Sequence, residues 1–347
     1  MYMTYRIVFI FILTTIISLK AQEEKIIEIR QAGGSKQDQE AFPGANILFK
    51  NLDKRVILFH DGALIESDLA YFYAKENFFK ATGDVVFTQG DSLRMTCNKI
   101  EYNGDTKITL AQGDVFLKRP DMSLKTEKLN IDRVKNEAFY NSKGVVIDSS
   151  STLTSNQGVY FINKKKYRFK SNVIIDNPEY EVNSDQLDYY TELNQAYLFG
   201  DSKIIGDTYT IKCERGFYDL EREKGVFKKN ATLYYDNKII KGDSLYFESE
   251  KNYAAATKNI SIVDSINNSI ITGHYGEIFK DKDSAIITRR ALAINIIDND
   301  SLFIHADTLV ATGPEERRIL RAYYDCLLYT SDAADDTPCV DLGGRRI

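Results

Sequence analysis

The sequence predicts an all-β protein, built as an elongated stack of antiparallel strands with about 29 residues per unit. Three observations support this fold class: two polar signatures that recur with this period, and a composition rich in strand-forming aromatic residues. A fixed period over most of a chain indicates repeated units that bury their apolar faces only by stacking on one another. The function is therefore to be sought on the stacked surface or in its interior.

The first signature is a small or polar anchor residue followed by a β-rich apolar triplet, such as Val85-Val86-Phe87 after Asp84. Successive anchors are separated by 29, 30, 30, 28, 29, 29, 29 and 31 residues. Such spacing is typical of one strand entry per repeat. The anchors are Arg55, Asp84, Asp114, Gly144, Asn172, Asp201, Asn230, Asn259 and Arg290.

The second signature runs in phase with the first. The fourth residue after each member is apolar or aromatic. In a strand, this residue lies on the same face as the second residue after the member. Each unit is thus predicted to hold at least two strands that face the same interior, whereas the third position, for example Tyr160, is predicted to face outward. The members are Asp68, Asn98, Glu127, Gln157, Asp185, Glu214, Asp243 and His274.

Composition and charge agree with a single elongated domain. The 347 residues include 22 Tyr, 19 Phe and no Trp, but only 5 Pro. The unbroken period predicts one repeat domain at 46–325, preceded by a flexible lead-in at 22–45. The net charge of −5 provides no broad basic field, which argues against nucleic acid as a partner.

The N-terminus predicts the compartment. Residues 1–6 carry a single Arg, residues 7–19 form an apolar run, and Lys20-Ala21-Gln22 places a small residue at a cleavage site. This pattern is typical of a secretory signal peptide at 1–21, and the apolar run is short for a membrane span. A retained N-terminal anchor is the alternative interpretation.

Two of the four Cys occupy equivalent positions four units apart, because Cys97 precedes Asn98 and Cys213 precedes Glu214. If each unit advances the stack by one strand spacing of ~4.8 Å, they lie roughly 19 Å apart. A disulfide needs Cα atoms within about 7 Å of each other. We therefore expect both thiols to be unpaired and buried or half-buried.

The C-terminal residues 326–347 depart from the repeat. The stretch that begins Cys326-Leu327-Leu328-Tyr329 resembles the translation of a sequencing-adapter read-through. We interpret it as non-native, so that Cys326 and Cys339 carry no function. A genuine tail is the alternative.

The sequence predicts no catalytic residue, metal site or cofactor, and hence a protein that is not an enzyme. It has three His and lacks HExxH, GxSxG and a Gly-rich phosphate loop. The acid pairs Glu221/Glu223 and Asp281/Asp283 lie at predicted turns. A β-helical polysaccharide-cleaving enzyme stays open as an alternative, because such enzymes place carboxylates along a groove without a fixed motif.

The repeat resembles that of the OstA-like (organic solvent tolerance) family of periplasmic lipopolysaccharide-transport proteins. The resemblance covers about residues 45–320 and depends on the number and phase of short motifs. Those that carry it are Phe79-Lys80-Ala81-Thr82-Gly83-Asp84-Val85, Leu110-Ala111-Gln112-Gly113-Asp114-Val115 and Gly242-Asp243-Ser244-Leu245-Tyr246-Phe247.

The resemblance implies a β-jellyroll, a V-shaped stack of antiparallel strands whose apolar interior holds lipid acyl chains. It implies a location in the periplasm, with association to the outer membrane left open. The implied partners are lipopolysaccharide or a related glycolipid, other jellyroll proteins of the envelope joined by edge-strand pairing, and further copies of this chain joined head to tail.

A lipid conduit requires a continuous slot lined by apolar side chains. A structural or adhesive β-solenoid with a dry core would bury the same residues, and this alternative stays open. The residues predicted to line the slot and bind lipid are Phe72, Val85, Phe87, Tyr102, Val115, Leu117, Ile131, Val145, Ile147, Phe161, Val173, Ile175, Tyr189, Leu233, Phe247, Ile260 and Ile262.

Overall fold

The computed structural model describes residues 26–330, apart from residues 149, 236, 298–299 and 315–316. The predicted signal peptide at 1–21 and residues 331–347 of the predicted non-native tail lie outside this range. The described residues form 26 strands in one antiparallel sheet, with short 3₁₀ turns at Ile162–Lys164 and Lys280–Lys282. The all-β prediction is confirmed. Within the described part of the chain, no helix is long and apolar enough to cross a membrane.

The first half of the stack begins with short strands and continues with long ones. In chain order its strands are β1 (Glu28–Gln31), β2 (Gly34–Gln37), β3 (Asn46–Phe49), β4 (Val56–His60), β5 (Ala63–Ser67), β6 (Leu69–Tyr73), β7 (Phe78–Gln89), β8 (Leu93–Asn103), β9 (Ile108–Lys118), β10 (Ser123–Asp132), β11 (Glu137–Tyr140), β12 (Gly144–Ile147), β13 (Thr152–Ser155) and β14 (Gln157–Phe161).

The second half consists of long hairpins until the last two strands. Its strands are β15 (Lys166–Asn177), β16 (Tyr180–Tyr190), β17 (Gln195–Gly206), β18 (Tyr209–Asp219), β19 (Lys224–Tyr235), β20 (Lys238–Glu248), β21 (Tyr253–Asp264), β22 (Ser269–Phe279), β23 (Ser284–Ile297), β24 (Asp300–Thr312), β25 (Ile319–Tyr323) and β26 (Leu327–Thr330). β26 pairs with Leu302–His305 of β24.

Each long strand is interrupted near its middle by a bulge, where the pairing register shifts. In β7 the bulge residues Gly83 and Asp84 have φ of 83° and 41°, and in β19 Lys229 and Asn230 have 58° and 53°. Two successive left-handed residues turn the strand sharply, and Gly, Asn and Asp adopt this conformation most readily. The polar anchors therefore recur because most of them mark a corner.

The corner divides the sheet into two leaves. The upper leaf contains the half-strands equivalent to residues 78–82 of β7, and the lower leaf those equivalent to residues 85–89. Rings from the two leaves meet in the interior, because Tyr209 of the lower leaf lies 4.9 Å from Phe247 of the upper leaf. The hairpin turns of the two leaves face each other along a line opposite the corner, which we call the mouth.

The second polar signature also lies at the corner, 16 residues before the first. The carboxylate of Asp243 accepts a hydrogen bond from the Asn259 side chain at 3.1 Å, and that of Asp185 accepts one from the backbone N–H of Asp201 at 3.0 Å. The amide and acid side chains thus satisfy backbone and side-chain groups where the sheet ladder is broken. The two signatures of the sequence form one polar ladder along the outside of the corner.

The interior is graded in side-chain size from the corner to the mouth. Most strands of the lower leaf carry a small residue next to the corner, where the leaves converge, and Val85, Val173 and Ile260 are larger members of the same row. The small members include Cys97, Ser184, Ser202, Cys213, Ala231, Gly242, Gly273, Ala291 and Ala306. The next row is aliphatic over most of its length, with Leu117, Leu124, Val182, Ile204, Ile211, Leu233, Ile240, Ile262 and Ile271 on successive strands. The wedge shape of the interior therefore follows from side-chain volume.

Candidate functional site

One row of large side chains follows the mouth side of the upper leaf for the whole stack. One member comes from each unit, and smaller residues such as Ala196, Gly225 and Ala254 pair with it on the neighbouring strand. Alternating large and small side chains let the row interdigitate without strain. The large members are Phe72, Tyr102, Ile131, Tyr160, Tyr189, Tyr218, Phe247 and Ile278.

Fourteen of the predicted slot residues face this interior. Eleven are buried in the core: Phe72, Val85, Phe87, Tyr102, Val115, Leu117, Val173, Leu233, Phe247, Ile260 and Ile262. Ile131, Ile175 and Tyr189 are partly buried and pack against the core. Their contact with lipid stays a prediction.

The prediction is wrong in orientation for the remaining three residues, Val145, Ile147 and Phe161. In β12 it is Val146 that packs against the core, and Ile147 is 42% exposed. A strand that is misread by one residue presents the opposite set of side chains, because its side-chain period is two. Val145 and Ile147 therefore share the outer face.

A one-residue error of the same kind explains the wrong orientation predicted in β14. Tyr160, predicted to face outward, stacks inside on Tyr167 at 4.3 Å between ring centroids. The Phe161 ring lies outside, 5.6 Å from the Lys164 ammonium and 5.9 Å from the Arg168 guanidinium. The slot residue of this unit is therefore Tyr160.

The spacing of the anchors in the sequence indicates both one-residue errors, in β12 and in β14. Around Gly144 and Gln157 the spacings are 30 then 28, whereas the true corner residues Lys143 and Asn156 restore two intervals of 29. The Asn156 N–H donates to the Ser171 carbonyl at 3.0 Å, as the Asp68 N–H donates to that of Gly83. A compensating pair of spacings thus marks a misplaced anchor.

An apolar cavity of about 410 Å³ lies between the leaves from β8 to β15. We call it the proximal cavity. Leu93, Leu117 and Leu124 line it from the lower leaf, and Ile131 and Phe169 from the upper leaf. The small upper-leaf residues Ala138 and Gly158 also line it.

Tyr140 closes the corner side of this cavity. Its ring lies so close to Gly144 and Gly158 that a Cβ at either position would come within 2.4 Å of it. Its hydroxyl hydrogen-bonds the Ser155 hydroxyl at 2.7 Å. Burial raises the pKa of Tyr140 to about 12, although the Ser155 hydrogen bond opposes the shift. The ring is therefore a neutral wall between the cavity and the corner.

Arg119 lies where the proximal cavity reaches the mouth. It is the one charged residue among the described residues that line the cavity. Its guanidinium lies 5.8 Å from the Tyr160 ring centroid, across the mouth, and its Nε lies 3.4 Å from Asp121 on the same turn. The site thus combines an apolar interior with one cation at its entrance.

The interior narrows between β18 and β22, in a region that we call the packed section and that shares Ile240, Ile262 and Ile278 with the next cavity. The cavity at its centre has a volume of only about 10 Å³ and is lined by residues that include Phe227, Leu233, Leu245 and Phe247. The free volume between the leaves therefore varies along the stack. The rings of Tyr209 from the lower leaf and Phe247 from the upper leaf meet here, with 4.9 Å between their centroids.

A second cavity of about 400 Å³, the distal cavity, follows from β19 to β25. Its mouth carries Lys238, Asp264 and Arg318, with both cations 3.7 Å from the Asp264 carboxylate. Burial opposes ionisation of Asp264, but hydrogen bonds from Asn267 and the Lys238 charge outweigh it and lower its pKa. Lys238 and Arg318 therefore share one buried carboxylate at this mouth, where Lys280 and Asp283 also line the cavity.

The N-terminal end of the slot is clamped. Asp61 on a lower-leaf turn lies 3.4 Å from Arg133 and 3.9 Å from Lys107, both on upper-leaf turns. Behind this pair, His60 Nδ1 lies 2.7 Å from the Tyr102 hydroxyl. These contacts join the leaves across the mouth at one end of the proximal cavity.

The predicted state of the two interior cysteines is confirmed. Cys97 and Cys213 are free and buried. Burial raises the pKa of each thiol to about 11, against the lowering effect of backbone hydrogen bonds. Both act as small apolar residues beside the corner.

One comparison with known proteins agrees with the repeat motifs. The family model described as OstA-like protein matches residues 24–185, and the resemblance to that family is confirmed over this range. A solved structure that matches is "LptH, the LptA homologous periplasmic component of the conserved lipopolysaccharide transport device from Pseudomonas aeruginosa", at 17% identity and a TM-score of 0.19, covering 37% of this chain and 76% of that chain. Among curated proteins, none matches this chain.

Proposed function

Taking residues 24–185 as an OstA-like domain, we propose that the chain is a non-enzymatic lipid-binding conduit of the periplasm. It carries lipopolysaccharide or a related glycolipid toward the outer membrane through the slot between its leaves. The observation that supports this proposal is the proximal cavity, an apolar space of about 410 Å³ between two facing leaves. The choice of lipopolysaccharide follows from the family resemblance.

The cavity suits acyl chains in size and chemistry. Small-molecule sites usually enclose roughly 300–1,000 Å³ and are mostly apolar. Each CH₂ group moved from water into such a space contributes about 0.8 kcal/mol. An apolar space that holds no acyl chain lacks these contacts, so occupancy by lipid is favourable without any catalytic group.

Movement of a lipid along the stack requires the packed section to open. The Tyr209 and Phe247 rings, 4.9 Å apart, lie in the path between the two cavities. Neighbouring units differ in free volume, so a chain would pass by discrete steps from one cavity to the next. Separation of the leaves at the mouth provides the space, and near the packed section it requires the Lys280 ammonium to leave the Tyr235 ring, 4.5 Å away.

Partners are proposed at the ends of the stack. β1 and β2 each pair with one strand of the described chain, β4 and β3 respectively. A strand with a free edge can pair with another sheet. We propose that other jellyroll proteins of the envelope, or further copies of this chain, extend the slot by such pairing.

One observation favours the alternative of a dry structural or adhesive solenoid. The packed section, with Phe227 fully buried, has no room for a ligand. If the whole interior behaved in this way, the proximal cavity would stay empty and the stack would act only as a scaffold.

Site-specific photocrosslinking separates the two candidates. A photoreactive residue at Tyr160 faces the proximal cavity, and one at the adjacent Phe161 faces outward, so the pair differs in face and not in position along the chain. In a Gram-negative periplasm, we expect lipopolysaccharide adducts at Tyr160 and few at Phe161. Equal labelling at both positions, or none at Tyr160 in a variant that is folded by circular dichroism, would favour the dry solenoid.

A further inference from the structure

The two cavities differ in the charge at their mouths, although they are similar in volume. At the distal mouth, Lys238 and Arg318 share the buried carboxylate of Asp264 at 3.7 Å each. At the proximal mouth, the described part of the chain offers Arg119 one carboxylate, that of Asp121, whose side chain is 67% exposed. An exposed pair of this kind contributes little, because water competes for both charges.

The position of Arg119 makes its guanidinium accessible from inside the cavity. It comes from the turn between β9 and β10, and the Arg119 N–H donates to the Met122 carbonyl at 2.8 Å, which fixes the turn. Its guanidinium lies over Tyr160, the ring that closes the opposite side of the mouth. The other polar lining residues near this mouth, Gln89 and Ser92, are neutral.

An apolar cavity with one cation at its entrance matches an amphiphile with an anionic head. Guanidinium groups bind carboxylate and phosphate through paired hydrogen bonds. We propose that Arg119 is the headgroup anchor of the proximal cavity, and that this cavity selects single-chain or multi-chain amphiphiles whose head is a carboxylate or a phosphate ester. This inference rests on the proposed function, since it requires an acyl chain in the cavity.

The test compares ligands that share one chain and differ in the head. Lauric acid, lauryl phosphate and dodecanol are measured by equilibrium binding to the purified protein and to the Arg119→Gln, Arg119→Lys and Arg318→Gln variants. For the wild type we expect the two anionic ligands to bind on the order of fivefold more tightly than dodecanol, the effect of a partly exposed charge pair. The stronger of the two identifies the head as carboxylate or phosphate.

The variants test whether the preference for anionic ligands over dodecanol depends on Arg119. Arg119→Gln is expected to abolish it by weakening the anionic ligands while leaving dodecanol unchanged, and Arg119→Lys to retain part of it. Arg318→Gln, at the distal mouth, is expected to leave it intact. The preference of the wild type is also expected to shrink as salt is raised.

Two results would overturn the inference and leave the proposed function standing: equal binding of all three ligands by the wild type, or an undiminished preference in Arg119→Gln. If no ligand bound and Tyr160 also gave no lipid adduct, both the inference about Arg119 and the proposed conduit function would fail. If no ligand bound but Tyr160 crosslinked to lipopolysaccharide, single-chain anchoring at Arg119 would be refuted while the conduit survived.

Discussion

The proximal cavity and the packed section are built from the same repeat, on the same two leaves, yet one is open and the other is filled. In the packed section Phe247 pairs with Ala254 and meets Tyr209 from the other leaf. In the proximal cavity Ile131 pairs with Ala138, and no ring of the lower leaf takes the place of Tyr209 among the described lining residues. The difference teaches that the repeat determines the slot, whereas a few side-chain volumes determine where it is open.

The largest difference between the two regions is expected for removal of a large side chain. Phe227 is fully buried in the packed section, so Phe227→Ala should lower the free energy of unfolding by about 3–5 kcal/mol, through lost burial and a new void. Tyr160→Ala, beside existing space, should cost roughly 2 kcal/mol or less, since a site already next to a cavity loses fewer contacts. Urea unfolding measures both, and equal losses would remove the distinction.

Enlarging a small side chain should also affect the two regions differently, with the loss of stability confined to the packed section. Ala254 and Ala138 occupy equivalent positions of one row, but Ala254 lines a space of about 10 Å³ and Ala138 one of about 410 Å³. Ala254→Leu should therefore destabilise by about 1–3 kcal/mol through overpacking. Ala138→Leu should be close to neutral and should weaken lipid binding by filling the cavity. A neutral Ala254→Leu would mean that the packed section opens easily.

The two mouths should differ in their response to acid. Asp264 has a lowered pKa in the folded protein. Its stabilising contribution is therefore complete above the pKa of an unfolded aspartate, about 3.9, and is lost as the pH falls through the lower folded value. Asp264→Asn should remove that part of the acid dependence and cost on the order of 1–3 kcal/mol at neutral pH. Urea titrations at several pH values measure this, with Asp121→Asn as the control expected to change little.

The smallest effect concerns Cys97 and Cys213, one before the proximal cavity and one beside the packed section. Burial raises both pKa values to about 11, so each thiol is neutral at pH 8 and reacts slowly. Peptide mass spectrometry after alkylation of the folded protein should find both unmodified, and modified once urea is added. Rapid labelling of only one in the native state would show that its region opens more often.

The sequence predicted the fold class, the period and most of the interior, because alternation and repeat spacing depend on local geometry. It failed at Val145, Ile147 and Phe161, because the predicted anchors Gly144 and Gln157 lie one residue after the true corners and this error inverts the predicted faces. The open and filled regions could not be predicted. The size of the gap beside Ile131 or Phe247 depends on which residues of the two leaves face each other. Those residues are known only when the pairing register of every strand is known. Arg119 was missed for the same reason: alone it is an ordinary turn residue.

The central claim, that the proximal cavity is an acyl-chain site, can be tested by fluorescence because the chain contains no Trp. Tyr160→Trp places a single reporter inside the cavity, and Phe161→Trp places one on the outer face of the same strand. A brominated fatty acid should quench the tryptophan at 160 in a saturable manner and leave that at 161 nearly unchanged. Equal, non-saturating quenching of both, in variants with wild-type unfolding midpoints, would contradict the claim and leave a dry solenoid.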